Sequence, residues 1–135
     1  MIALIETMFP AACLGLTVLI GGRPERAGAW IAIFGFVATS LIGVTTWHAF
    51  EGRVFVIDVA VLVGFWTIAI KSNRFWPYWV TAWQLVGVFV HMQSLIFVDT
   101  YARPYGMLSI YLSIPIVGLI GWSAVHYKIR KHIAA

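Results

Sequence analysis

The sequence predicts an all-α integral membrane protein, a single bundle of about five transmembrane helices. Three observations carry this. First, 61% of the 135 residues are hydrophobic and 10% are charged, against roughly 25% charged in an average soluble domain. A soluble domain this short leaves much of its surface exposed, so lipid must solvate most of the apolar surface. Second, the apolar residues form continuous runs rather than alternating. That pattern fits helices, which satisfy their own backbone in lipid, and not the strands of a barrel. Third, Lys and Arg fall almost entirely in the breaks between runs.

The runs are taken in chain order. Residues 2–20 form the first, and Gly21, Gly22, Arg23 and Pro24 end it as a helix stop and turn. The run lacks the basic start of a signal peptide and carries Glu6 instead, so it reads as a retained span. Residues 27–47 form the second run and 54–70 the third, which closes on Lys71, Ser72, Asn73 and Arg74. Residues 76–98 and 104–125 are the fourth and fifth, with a basic tail at 126–132. Each is near the roughly 20 residues that cross a hydrocarbon core. Cys13 is the single cysteine, which excludes an intrachain disulfide and reads as a small packing residue. No linker or repeat divides residues 1–135, and five spans do not split into two equal inverted halves, the plan of many transporters.

Counting Lys and Arg break by break puts seven on one side and two on the other. The positive-inside rule then places the tail and the 71–74 turn in the cytoplasm, with the N-terminus and the 99–103 loop outside, as in a bacterial inner membrane. The aromatic residues form two belts: Trp30, Phe75, Trp76, Tyr78, Trp79 and Trp122 toward the cytoplasm, and Trp47, Phe50, Phe55 and Tyr101 opposite. Trp66 and Trp83 lie deeper and are expected to pack between helices. The net charge of +4 is thereby topology, not nucleic-acid binding.

Helices associate in lipid through small and weakly polar residues. Spacings of three and four give inward stripes: Glu6, Pro10, Cys13 and Thr17 in the first span, and Gly35, Thr39, Gly43 and Thr46 in the second. The fourth offers Thr81, Gln84, Gly87, His91 and Ser94; the fifth offers Gly106, Ser109 and Ser113, with a kink expected at Pro115. Plain helix packing is the first reading of all of them. Ionisable groups inside a span are costly and therefore functional suspects. Glu6, Asp58 and His91 are three such groups, all in the outer half, with His48, Glu51 and Asp99 at the same surface; no comparable set of acids is expected in the cytoplasmic half. Snorkelling to the headgroups competes with an Asp58–His91 or Glu6–His91 pair, and with a ligand site that His48 and Glu51 would share. The fourth-span face is expected to be buried, with a partner for His91 among Asp58, Glu6 or a cofactor.

Gly87 four residues before His91 is similar to the small-residue–His spacing by which light-harvesting polypeptides hold bacteriochlorophyll. A haem or bacteriochlorophyll on His91, with Gly87 clearing the ring and His48 as a second ligand, is accordingly a minority reading. No metal motif, His-Glu-x-x-His, Gly-x-Ser-x-Gly or phosphate loop is present, which argues against an enzyme.

Four stretches carry a wider resemblance: Gly22-Arg23-Pro24-Glu25-Arg26-Ala27-Gly28, the run from Arg74 through Trp76, Pro77 and Trp79 to Leu85, Gly87 to His91, and Arg103-Pro104-Tyr105. Through them nearly the whole chain resembles a class of small polytopic inner-membrane proteins of Gram-negative bacteria. The resemblance implies a multi-pass fold and no particular activity. Small size, little extramembrane mass and much aromatic surface point to a non-catalytic accessory subunit of a larger membrane complex, respiratory or photosynthetic. Its partners would be lipids and other integral membrane proteins. A cofactor-binding electron carrier and a small oligomeric transporter are the alternatives.

Overall fold

The computed structural model describes the backbone of residues 2–42, 52–96 and 102–134, and the side-chain surroundings of residues 8–42, 52–93 and 111–134. Five helices account for the described residues: α1 (Ile2–Ile20), α2 (Arg23–Ile42), α3 (Gly52–Lys71), α4 (Trp76–Ile96) and α5 (Ala102–Ile133). Each packs on the next in sequence, and α5 closes on α1 and touches α2, so the helices form a ring. Three segments are both long and apolar enough to cross a membrane: α2, α3 and residues Tyr111–Ile133 of α5. α1 contributes a shorter apolar stretch, Met8–Ile20. This is the make-up of a multi-pass membrane bundle.

Local chemistry sets the helix ends. Gly21 and Gly22 break the chain between α1 and α2, and the Gly21 N–H still bonds back to the Thr17 carbonyl at 2.9 Å. Pro24 sits in the first turn of α2, where its missing N–H costs nothing. Hydroxyls inside helices are satisfied on their own backbone: Thr17 on the Cys13 carbonyl at 2.7 Å and Thr81 on the Pro77 carbonyl at 2.7 Å. α5 runs helical past Val125 to Ile133, so the basic tail is not a separate segment but the last turns of a 32-residue helix. Lys, Arg and His are compatible with that extension, because cations favour a helix C-terminus.

The core lies along one face of each helix. Ile57, Val61, Phe65 and Ala69 repeat at four-residue spacing on α3. The first three meet Ala29 and Ala32 of α2, Val80 of α4 and Ile116, Val117 and Ile120 of α5. Small residues let the backbones close up: a Cβ on Gly35 would lie 2.9 Å from Val61 Cγ2, and one on Gly121 would lie 3.6 Å from Cys13 Cβ. The outside is apolar and aromatic, including Trp30, Trp66, Trp79 and Trp122. Trp66 therefore departs from the expectation that it packs between helices. It is 55% exposed, one position beyond buried Phe65, and the α3 core face turns past it.

Candidate functional site

α3 and α4 run side by side, and their facing stripes bring two of the expected site residues together. His91 Nε2 donates to Asp58 Oδ2 at 2.7 Å. One α4 turn pair earlier, Gln84 Nε2 donates to both Asp58 Oδ1 and the Asp58 carbonyl, each at 3.3 Å. Of the polar stripe of the fourth span, Thr81, Gln84 and His91 are buried and Gly87 is half-buried. The Asp58 side chain is 25% exposed and that of His91 is 6%. The carboxylate thus accepts from two α4 side chains while one edge stays open. Interhelical hydrogen bonds of this kind tie membrane helices by roughly 0.6–2 kcal/mol each.

The other expected residues fall elsewhere. Gly35 and Thr39 are half-buried on the α2 side that faces the bundle. Ser113 is half-buried and has a partner in the structure. The side chains of Glu6, Ser94 and Ser109, and all of His48 and Gly43, lie outside the described residues. Gly87 sits on α4 with nothing within 4 Å of where a Cβ would stand. That leaves room beside the helix, but His91 Nε2 points at Asp58 rather than into the space. A haem or bacteriochlorophyll needs a free ring nitrogen, so the Asp58 hydrogen bond is at odds with axial ligation through Nε2. Among the described residues no three of His, Cys, Asp and Glu converge.

Among the described residues the most deeply buried acid lies outside the predicted spans. Glu25, in the first turn of α2, is 1% exposed. Its Oε1 accepts from the Trp76 indole N–H at 3.2 Å and lies 3.9 Å from Arg74 Nε. Its Oε2 is buried with no hydrogen-bond partner among the described residues. Arg74 also sits over the Tyr127 ring at 5.6 Å, within cation–π range. One guanidinium thereby links the α2 start, the α3–α4 turn and the end of α5. Trp76 is buried, not at the lipid interface as the aromatic pattern suggested, because its indole N–H is turned to Glu25.

Glycines make this junction possible. A Cβ on Gly22 would stand 2.7 Å from Glu25 Oε2 and 3.1 Å from the Tyr127 ring. A Cβ on Gly28 would stand 2.6 Å from Trp76 Cη2. Gly22 and Gly28 each lie three residues from Glu25, one before the start of α2 and one on its next turn. Glu25 lies between Arg23 and Arg26 at a helix start, where an acid is ordinary, so the local pattern does not mark it.

No family model, curated protein or solved structure matches this chain.

Proposed function

We propose that this chain is a non-catalytic accessory subunit of a larger bacterial inner-membrane assembly, with all five helices spanning and the Arg- and Lys-rich end in the cytoplasm. One observation carries the reading. A groove of about 410 Å³ between α4 and α5 is lined by Trp79, Trp83, Pro115, Gly118, Leu119 and Trp122. Gly118 has open space where a side chain would stand. Tryptophans around a small residue suit close approach of a partner helix, since membrane helices meet at small residues and Trp is enriched at interface hot spots. Lipid tails conform to any apolar face and need no such groove.

Gentle extraction at native expression level, followed by mass spectrometry with a photo-crosslinker at Leu119, tests this. The expected product is one defined membrane protein joined to Leu119. Crosslinks to lipid alone from a monomeric chain would sink the reading. Orientation is checked separately on a Cys13→Ser background, with single cysteines introduced at Asn73 and Ala134. Both should resist an impermeant thiol reagent in intact cells. A small transporter is the second reading, favoured by the open edge of the Asp58–His91 pair. Substrate flux in vesicles that Asp58→Asn abolishes would move the argument there.

A further inference from the structure

The Gly22 end of the bundle gathers seven of the nine Lys and Arg residues, with Glu25 as its single acid among the described residues. Glu25 is already engaged by Trp76 and Arg74. The cations are not spread evenly over that end. Two clefts open on either side of Arg23, the first residue of α2. One, of about 400 Å³, lies between the α2 start and the α3–α4 turn and is lined by Arg23, Lys71 and Arg74 together with Ser72 and Asn73. The other, of about 340 Å³, lies between the α1–α2 turn and the last turns of α5 and is lined by Arg23, Arg26, Lys128 and Lys131.

We infer that these paired clefts bind the phosphate-bearing headgroup of an anionic phospholipid. The chemistry of the linings points there. The second cleft is lined by four cations, and the first by three, of which Arg74 is already shared with Glu25. The Ser72 hydroxyl is buried in the first with no hydrogen-bond partner among the described residues, a donor without an acceptor. In the second, Arg26 is drawn back over the end of α1, where its Nη2 donates to the Leu19 carbonyl at 3.3 Å. That contact holds its charge at the rim of the cleft. Apolar residues complete the match: Ile68 lines one cleft, and Leu19 and Ile20 the other. A headgroup seated on the cations therefore has its acyl chains directed along the apolar flanks of the bundle. Basic pockets between membrane helices recognise anionic headgroups in this way. Arg23 serves both clefts, so a lipid with two phosphates would place one in each.

The test uses the full chain in a neutral detergent, titrated with phosphatidylglycerol, a diphosphatidyl lipid, phosphatidylcholine or inorganic phosphate, with bound lipid read by native mass spectrometry. Both anionic lipids should bind, the diphosphatidyl lipid more tightly, and phosphatidylcholine should not saturate. Arg23→Gln should weaken anionic-lipid binding about tenfold, and Lys128→Gln about fivefold. Arg130 carries the same charge but lines neither cleft, so Arg130→Gln is the control and should change binding less than twofold. Three results would overturn the site: equal binding of phosphatidylcholine, equal competition by inorganic phosphate, or a loss in Arg130→Gln as large as in Arg23→Gln. A circular dichroism spectrum unchanged by Arg23→Gln confirms that a lost lipid is not a lost fold.

Discussion

Glu25 and Asp58 are both carboxylates held on helices of one bundle, yet their surroundings differ in kind. Glu25 is 1% exposed, its nearest cation is 3.9 Å away, and one of its oxygens has no partner among the described residues. The Asp58 side chain is 25% exposed, touches an imidazole at 2.7 Å and accepts an amide on its other oxygen. The first is a deeply buried charge with weak compensation, and the second a half-open charge with close compensation. Burying a charge costs several kcal/mol unless geometry and hydrogen bonds repay it. The Glu25 junction is thus held by what surrounds it, namely Trp76, Tyr127 and the close-packed Gly22 and Gly28, more than by its ion pair. The Asp58 site is held by its own hydrogen bonds.

The largest effect should come from removing the cation at the tighter site. Arg74→Gln leaves Glu25 buried without a cation. A fully buried pair loses roughly 3–5 kcal/mol when one partner goes; Arg74 is 37% exposed, so solvent screening lowers the expected loss to about 2 kcal/mol. Glu25→Gln keeps the shape and the acceptor for Trp76, and removes the buried charge, so its cost should be about half as large. Unfolding of the purified variants in detergent gives the order. If Glu25→Gln proves the more damaging, the ion pair and not the packing dominates the junction.

His91→Leu comes next. It removes one donor from Asp58 but leaves Gln84 and an open edge toward the surroundings. An orphaned buried polar group costs roughly 1–3 kcal/mol; with Asp58 partly exposed, about 1.5 kcal/mol is expected. His91→Gln can still donate and should recover about half of that in the same unfolding assay. Equal losses in the two variants would mean that the imidazole ring is held by shape, not by Asp58.

The sequence made one of these sites visible and concealed the other, for a physical reason. Asp58 and His91 stand inside apolar runs, where any ionisable group is conspicuous against its neighbours. The stripe of Thr81, Gln84 and His91 allows an Asp58–His91 or a Glu6–His91 pair, and the 2.7 Å contact selects the first. Glu25 lies among arginines at a helix start, where first-turn acids are ordinary because they suit the helix dipole. Its burial depends on Trp76 and Tyr127 arriving from positions 51 and 102 residues away, which no local pattern records. The five-helix order was legible because each helix coincides with one continuous apolar run. The continuation of α5 to Ile133 was not, because the charges that end an apolar run do not end a helix.

The smallest effects separate the glycines. Gly28 and Gly87 both lie inside helices, but their surroundings differ. At Gly28 an added Cβ would stand 2.6 Å from the Trp76 ring, which is itself fixed by Glu25 and cannot yield freely. Gly28→Ala should therefore cost about 1–2 kcal/mol, in the range of overpacked cores, and should loosen the Glu25 junction, seen as faster quenching of Trp76 fluorescence in a single-tryptophan background. At Gly87 nothing lies within 4 Å of the added methyl. Gly87→Ala should then be neutral or stabilising by up to about 1 kcal/mol, because alanine loses less backbone freedom on forming a helix. The pair of measurements reads the bundle from both ends. A costly Gly87→Ala would mean that something outside this chain occupies the space beside His91, and would return that face of α4 to consideration as a docking surface.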